Sequence, residues 1–428
     1  MLEALRDALW GWHVLLLILA AGIYFSCSGR FFQLRRVNEW LKAAVGGRES
    51  KKAGEITRFQ ALTAALAGSI GTGNIVGVAA AITVGGPGAI FWMWISSIFG
   101  MMTVFAENLL AARHRNAPGA LGYIESIQKW GRPLAVFYAA GCCLSSFGMG
   151  NMAQTNACAA SLESFGLPAG MTGLLLAVLV FFVARGGLKF AVKITERLVP
   201  LMTLLFFGAS IGVLWVFREN LPRAFQSIFE NAFSLRAGAG GTAGALLALK
   251  TGVSRGVFTN EAGLGSSAFA YDKVTGRTPV ELGCMGIFQV FVDTIVMCTV
   301  TGLCILCCRS PMLEGARLTF FAFESALGQA GGWAVSLCTA LFAAATVISW
   351  CCYGREGLFY LTKGKGKTLF ALASALAAFS GCVLPLTAVF QLGDAFNGLM
   401  AVPNILALFW CRAEVRKELQ MGEAKGQR

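Results

Sequence analysis

Charged residues fall along this chain in clusters, separated by long apolar stretches. Residues 59–106 run for 48 positions without Asp, Glu, Lys or Arg, and 133–162, 325–354 and 368–393 are likewise uncharged. About 20 apolar residues carry a helix across the hydrocarbon core of a bilayer, so the longest stretch holds two such helices. Membrane β-strands would alternate in segments of about ten residues, which these continuous runs do not. The pattern predicts an all-α polytopic membrane protein of about 11 transmembrane helices. They fall at roughly 10–31, 59–83, 88–112, 134–160, 168–185, 196–217, 240–270, 281–306, 332–358, 368–387 and 389–411. Between the first two, residues 35–58 are dense in Arg and Lys, and the amphipathic piece Val37 to Val45 reads as an interfacial helix.

Composition narrows the class. The 428 residues are 56% hydrophobic and 13% charged, with a mean hydropathy of +0.66. Soluble domains carry about a quarter charged residues, so a soluble enzyme, a secreted disulfide scaffold and a disordered chain are excluded. The net charge of +13 follows from topology. With the segment after the first helix placed inside, 27 of the 35 Lys and Arg fall in cytoplasmic segments and 6 outside; Lys250 and Arg255 lie within the seventh span. That bias puts the N-terminus outside and the C-terminus in the cytoplasm. Anionic inner-leaflet lipid accounts for the basic loops without nucleic acid. The 14 cysteines lie mostly within apolar spans and show no paired CxxC spacing, so they read as small hydrophobes. Two histidines argue against a His-ligated metal centre. The first apolar stretch lacks a small-residue cleavage pattern and reads as a retained span.

Two spans are interrupted by contiguous glycine and polar residues. The second reads Ala64-Ala-Leu-Ala-Gly-Ser-Ile-Gly-Thr-Gly-Asn-Ile-Val-Gly77, and the seventh Gly252-Val-Ser-Arg-Gly-Val-Phe-Thr-Asn-Glu-Ala-Gly-Leu-Gly-Ser-Ser267. Helix-packing motifs place small residues four apart on one face. A contiguous run instead predicts broken helix, which survives at membrane depth where it lines a cavity or is buried in protein. The breaks lie five spans apart. The chain therefore divides into an extra N-terminal helix (1–33), a cytoplasmic interfacial segment (34–58), a five-helix repeat (59–217), a second, inverted five-helix repeat (218–411) and a cytoplasmic tail (412–428). Discontinuous first helices in inverted halves point to a secondary transporter with its site at the breaks.

Thr63-Ala-Ala-Leu-Ala-Gly-Ser-Ile-Gly-Thr-Gly-Asn-Ile-Val-Gly-Val78 and Gly85-Gly-Pro-Gly-Ala-Ile-Phe-Trp-Met-Trp94 resemble the alanine or glycine:cation symporter family. So do Arg255-Gly-Val-Phe-Thr-Asn-Glu-Ala-Gly-Leu-Gly-Ser266, Phe291-Val-Asp-Thr294 and Ala401-Val-Pro-Asn404. The resemblance implies the leucine-transporter fold and inward transport of a small neutral amino acid, chiefly alanine or glycine, with Na+ and without an organic cofactor. It also implies a prokaryotic inner membrane.

An amino acid zwitterion needs donors for its carboxylate and acceptors for its ammonium. Free N–H groups at Thr72, Gly73 and Asn74 would open the second half of span two and favour a carboxylate. Carbonyls near Ser69 and Ile70 would face the ammonium or a cation. Phe258, Thr259 and Asn260 occupy the equivalent place in span seven. By resemblance, Gln154 reaches the substrate and Trp350 closes the side-chain end of the pocket. Also by resemblance, Na+ lies between carbonyls of Ala67 and Ile70 and the ninth span, where Phe342-Ala-Ala-Ala-Thr346 stands for the family's Phe-Ala-Phe-Thr-Thr. Ala345 thus removes one hydroxyl from a site for a hard, oxygen-seeking cation. The family's Tyr-Gly-Glu is here Tyr353-Gly-Arg355.

Glu107, Arg255, Glu261 and Asp293 sit in otherwise apolar spans, where charge is costly. Pairing among them, with Arg255 and Glu261 bridging the seventh-span break, gives them a structural or gating role. Proton coupling or uncoupled exchange on the same fold is the near alternative. An intramembrane enzyme would need a nucleophile beside a base, which the sequence does not offer. A receptor or channel would need a signalling domain or ordered polar rings.

Overall fold

A computed structural model describes residues 2–45, 56–163, 165–233, 242–308, 313 and 315–426. Arg48, Lys51, Lys52, Arg236, Arg309 and Arg428 from the charge count, and the first two residues of the expected seventh span, lie outside the described residues. The chain is all-helical. Among the described residues, eight helices are long and apolar enough to cross a membrane by length and composition; the remaining three expected spans are the two interrupted ones and a 17-residue helix.

The N-terminal span is two helices, α1 (Leu2–Trp10) and α2 (Trp12–Ser28), followed by a short α3 (Phe32–Arg35) and by α4 (Val37–Val45). Trp40 of α4 is buried, 5.3 Å from the Phe291 ring, and its Nε1 donates to the Gln33 carbonyl. The expected interfacial helix is therefore packed onto the bundle through its tryptophan.

Span two comprises α5 (Arg58–Ser69), a 3₁₀ turn at Thr72–Asn74 and α6 (Val76–Gly85). Thr57 and Gln60 form a reciprocal capping box at its start. The next spans are α7 (Gly88–Arg113), a short α8 (Ala120–Glu125), and α9 (Gly131–Phe147), which passes through one π turn into α10 (Ala153–Glu163). Two further spans, α11 (Ala169–Gly186) and α12 (Leu188–Val216), precede the amphipathic α13 (Leu221–Phe233).

Span seven comprises α14 (Thr242–Asn260) and the four-residue α15 (Ala268–Tyr271). A second span with a π segment follows as α16 (Pro279–Val290) and α17 (Thr299–Cys308), with Asp293 inside the π turn. Then come α18 (Ala316–Leu327), α19 (Gln329–Thr362), α20 (Lys367–Val383), α21 (Leu386–Trp410) and the tail helix α22 (Arg412–Gly426). At 34 residues, α19 extends about 51 Å and overruns the hydrocarbon core.

The small residues at Gly252 and Gly256, four apart on α14, serve packing. A Cβ on Gly252 would meet the Ala89 carbonyl oxygen at 2.3 Å, and one on Gly256 the Ser96 hydroxyl at 2.4 Å. α14 and α7 thus meet backbone to backbone, and the polar residues beyond Asn260 form the break.

Candidate functional site

The end of α5 leaves carbonyls without intrahelical partners, as every helix end does. Thr346 of α19 answers two of them: its Oγ1 donates to Ala67 O at 3.0 Å and Ile70 O at 3.4 Å. Ser349, one turn along, donates to Ala64 O at 2.9 Å. The three oxygens of Ala67, Ile70 and Thr346 therefore converge in one spot. Phe342 lies one turn before Thr346, its ring packed 5.5 Å from Phe206. After Ile70 the backbone extends through Gly71. A Cβ there would lie 2.5 Å from Thr346 Oγ1 and 3.0 Å from Gln154 Oε1. Glycine alone lets these polar groups close on the backbone.

Gln154 accepts from Thr72 N at 3.0 Å and Thr72 Oγ1 at 2.9 Å, while its Nε2 donates to Met149 O. Asn74 accepts from Gly71 N and donates to both the carbonyl and the carboxylate of Asp293. Ser69 accepts from Gln289 Nε2 at 3.4 Å. A Cβ on Gly73 would face Thr259 Oγ1 at 3.4 Å and the Phe258 ring at 3.7 Å, so the two breaks adjoin. Solvent reaches none of this: no substrate or cation candidate is more than 3% exposed.

The span-seven break begins at Glu261, whose φ of 61° is left-handed. Such a conformation costs a non-glycine residue on the order of 1–3 kcal/mol and needs surrounding contacts to persist. The Glu261 carboxylate accepts from Trp350 Nε1 at 2.8 Å and from the Ser266 hydroxyl. Asn260 accepts from Ala262 N at 3.0 Å and donates to Ser97 Oγ at 3.2 Å, so it holds the break with both ends of its amide. Glu107 of α7 accepts from the amides of Gly263 and Gly265 and from Asn404 Nδ2 at 2.7 Å.

The expected pairing of Arg255 with Glu261 does not occur. Arg255 lies on the other side of α14 and forms a salt bridge with Asp394 of α21. Its guanidinium sits 4.9 Å from the centres of both the Phe258 and Phe390 rings. Six residues of helix rotate Arg255 away from Glu261, and the left-handed turn directs the Glu261 carboxylate to Trp350.

Above this pair opens a cavity of about 360 Å³ lined by Arg6, Trp10, Lys250, Ser254, Arg255 and Asp394 among others. Trp10 Nε1 donates to Ser254 Oγ at 3.0 Å, tying α1 to α14. Arg255, Phe258 and Phe390 thus form a floor between this vestibule and Gly73. At the opposite end, Phe269 stacks on Tyr353 at 5.7 Å, and Tyr353 donates to Ala64 O. There Asp272 accepts from Gly119 N at 2.8 Å and pairs with Lys273 at 3.2 Å. Burial pushes the Asp272 carboxyl up to about 6, against the opposing pull of Lys273 and the Gly119 amide.

Comparison with known proteins places the chain. The model of the sodium:alanine symporter family matches residues 1–427. This chain belongs to the sodium:alanine symporter family. It is 37% identical to the sodium/alanine symporter AgcS of Methanococcus maripaludis over 95% of this chain and 93% of that protein. It is 34% identical to the probable sodium/glutamine symporter GlnT of Bacillus subtilis, over 94% and 86%. Among solved structures, MhsT in complex with L-phenylalanine superposes with a TM-score of 0.58 at 14% identity, covering 88% of this chain and 99% of that one. The Eremococcus coleocola manganese transporter gives 0.53 at 14%, covering 85% and 78%. These likenesses establish the leucine-transporter fold. The symporter-family chain is a multi-pass membrane protein and a cation-coupled amino acid transporter, not an enzyme.

Several residues around the symporter's breaks escape a reading by sequence. Asp394 follows directly on the uncharged stretch 368–393, and its charge inside a span was the available signal. Gln289, Ser97 and Ser349 carried none, since a single polar residue in a span is common. Asn404, within the closing motif, proves to bridge Glu107 and the Gly263 carbonyl.

Proposed function

We propose that the chain imports a small neutral amino acid, alanine or glycine, together with Na+ by alternating access. In this reading it lies in the inner membrane with its N-terminus outside and C-terminus in the cytoplasm, as the Lys and Arg distribution favours. The convergence of Ala67 O, Ile70 O and Thr346 Oγ1 carries the reading. Three neutral oxygens gathered at the carboxyl end of a half-helix suit a hard cation. The division into an extra helix and two inverted five-helix repeats belongs to the same proposal.

The substrate carboxylate has its natural place at Thr72, where Gln154 Oε1 now accepts from the amide and hydroxyl. A carboxylate there exchanges neutral hydrogen bonds for stronger charge-assisted ones. The ammonium faces the carbonyls near Ser69 and Ile70, with Thr259 across the break. Gly73 and Asn74 shape the turn, Phe258 roofs it toward the vestibule, and Trp350, fixed by Glu261, walls the side-chain end. Asn260, Glu107 and Glu261 hold the span-seven break. Substrate entry from the vestibule requires the Arg255–Asp394 pair to part and Phe258 to swing aside. Repacking around the breaks then carries the site to the inner face.

Asp293 favours a second reading, proton coupling, because its carboxylate bonds Asn74 in the span-two break. Counterflow of labelled alanine in proteoliposomes tests transport. An imposed Na+ or proton gradient then separates the couplings. Accumulation driven by Na+ supports the main reading; accumulation driven by protons alone, abolished in Asp293→Asn, replaces it with the second. Absence of counterflow for alanine and glycine removes the substrate assignment.

A further inference from the structure

The sequence argued against a histidine metal site, yet the fold gathers one far from the breaks. His114 caps the end of α7, Cys411 caps α21, and Glu414 lies in the first turn of α22. One ligand atom from each lies within 4.8 Å of the others, the one such group of three among the described residues. His114 Nε2 is 2.9 Å from Glu414 Oε2. Cys411 and Glu414 are three apart, which puts both on one side of the corner between α21 and α22.

We propose that His114, Cys411 and Glu414 bind a borderline-soft divalent transition-metal ion such as Zn2+, and that the bound ion restrains transport. Imidazole, thiolate and carboxylate are the usual zinc ligands. Bond lengths of about 2.0–2.3 Å in a tetrahedron place ligand atoms roughly 3.3–3.8 Å apart, within side-chain adjustment of the present positions. The His114 and Glu414 side chains are 21% and 40% exposed, which leaves a path for the ion and a fourth position for water. Cys411 is buried, with Ser126 Oγ its neighbour at 3.9 Å. Arg113, 3.6 Å from Glu414, also bonds Glu418. It keeps that partner when the ion takes Glu414.

The coupling to transport follows from α7. His114 lies seven residues, two turns, beyond Glu107 and on the same face. Glu107 holds the amides of Gly263 and Gly265, and Asn404 of α21 holds Glu107. An ion joining the ends of α7 and α21 clamps together the two helices that hold the span-seven break, which must rearrange during alternating access. This second half rests on the transport reading; the binding half does not.

Purified full-length protein in lipid nanodiscs, titrated with Co2+, tests binding through the thiolate-to-metal absorption band. One equivalent of ion with this band is expected, lost in Cys411→Ser and in His114→Gln and retained in Cys308→Ser. No band in the wild type, or a band surviving both Cys411→Ser and His114→Gln, overturns the site. Zn2+ inside alanine-loaded proteoliposomes is expected to slow counterflow several-fold in the wild type and not in Cys411→Ser. Equal slowing in both, or none, overturns the regulatory half. A band without any metal-free counterflow marks failure of the transport reading alone.

Discussion

Replacing Thr346 by valine removes one hydroxyl and leaves the shape of the side chain. In the structure that hydroxyl serves both Ala67 O and Ile70 O. Without Na+, its loss strands buried carbonyls at a helix end, a cost of about 1–3 kcal/mol. With Na+, the site falls from three converging oxygens to two. A hydrogen bond to a charged group is worth about 1.5–3 kcal/mol, and taking that as the scale for one ligand, Na+ binding weakens by roughly 10–100-fold. Thermal unfolding in nanodiscs, with Na+ titrated against choline, reads both effects. Where wild-type Na+ stands at 100 times its dissociation constant the stabilisation is about 2.7 kcal/mol, and a tenfold weaker site retains about 1.4 kcal/mol. The converse variant, Ala345→Thr, should tighten the Na+ response and leave alanine affinity at saturating Na+ unchanged. Ala345 is fully buried, packed in one cluster with Ala64, Ala65 and Ala67, so the larger residue also costs about 1–3 kcal/mol of stability without Na+. Na+ titrations of wild type and Thr346→Val that superimpose would refute the cation assignment.

Gly71→Ala should abolish alanine binding in equilibrium dialysis, because its Cβ would stand 2.5 Å from Thr346 Oγ1; unchanged affinity would separate the turn from the site. Trp350→Phe gives up the bond to Glu261 and some volume, and should admit larger substrates such as methionine in competition uptake. An unchanged substrate range removes Trp350 from the pocket wall. Asp272, raised from 3.8 to about 6, binds its proton more tightly when folded. The stability this contributes is therefore full at low pH and lost as pH rises through about 6, an effect of about 3 kcal/mol. Wild-type unfolding free energy minus that of Asp272→Asn should fall between pH 4 and 7; a flat difference refutes it.

The breaks were legible because their chemistry is local. Gly71 through Asn74 and Glu261 through Ser267 place flexible and polar residues where a continuous span wants apolar ones, and the helix duly stops there. Pairings were not legible, since they depend on rotation about helices distant in sequence. Arg255 meets Asp394 across 139 positions, and Glu261 meets Trp350 across 89. The helices α13 and α18, each buried along one face, went unmarked because their mixed polarity resembles loop. The π turns around Met149 and Asp293 carry no residue pattern distinct from ordinary helix. The packing account of small residues, set aside for the breaks, proved right for Gly252 and Gly256.

The N-terminal helix was set apart from the repeats as an addition, yet Trp10 reaches Ser254 and Arg6 looks into the vestibule. A Cβ on Gly398 would stand 2.0 Å from the Leu9 carbonyl oxygen, so this helix is seated against α21 with no room between them. Relatives that diverge at positions 6 and 10 would thereby alter which solutes approach the floor while both repeats stay unchanged. Selectivity in such a protein has a place to evolve that symmetry does not constrain.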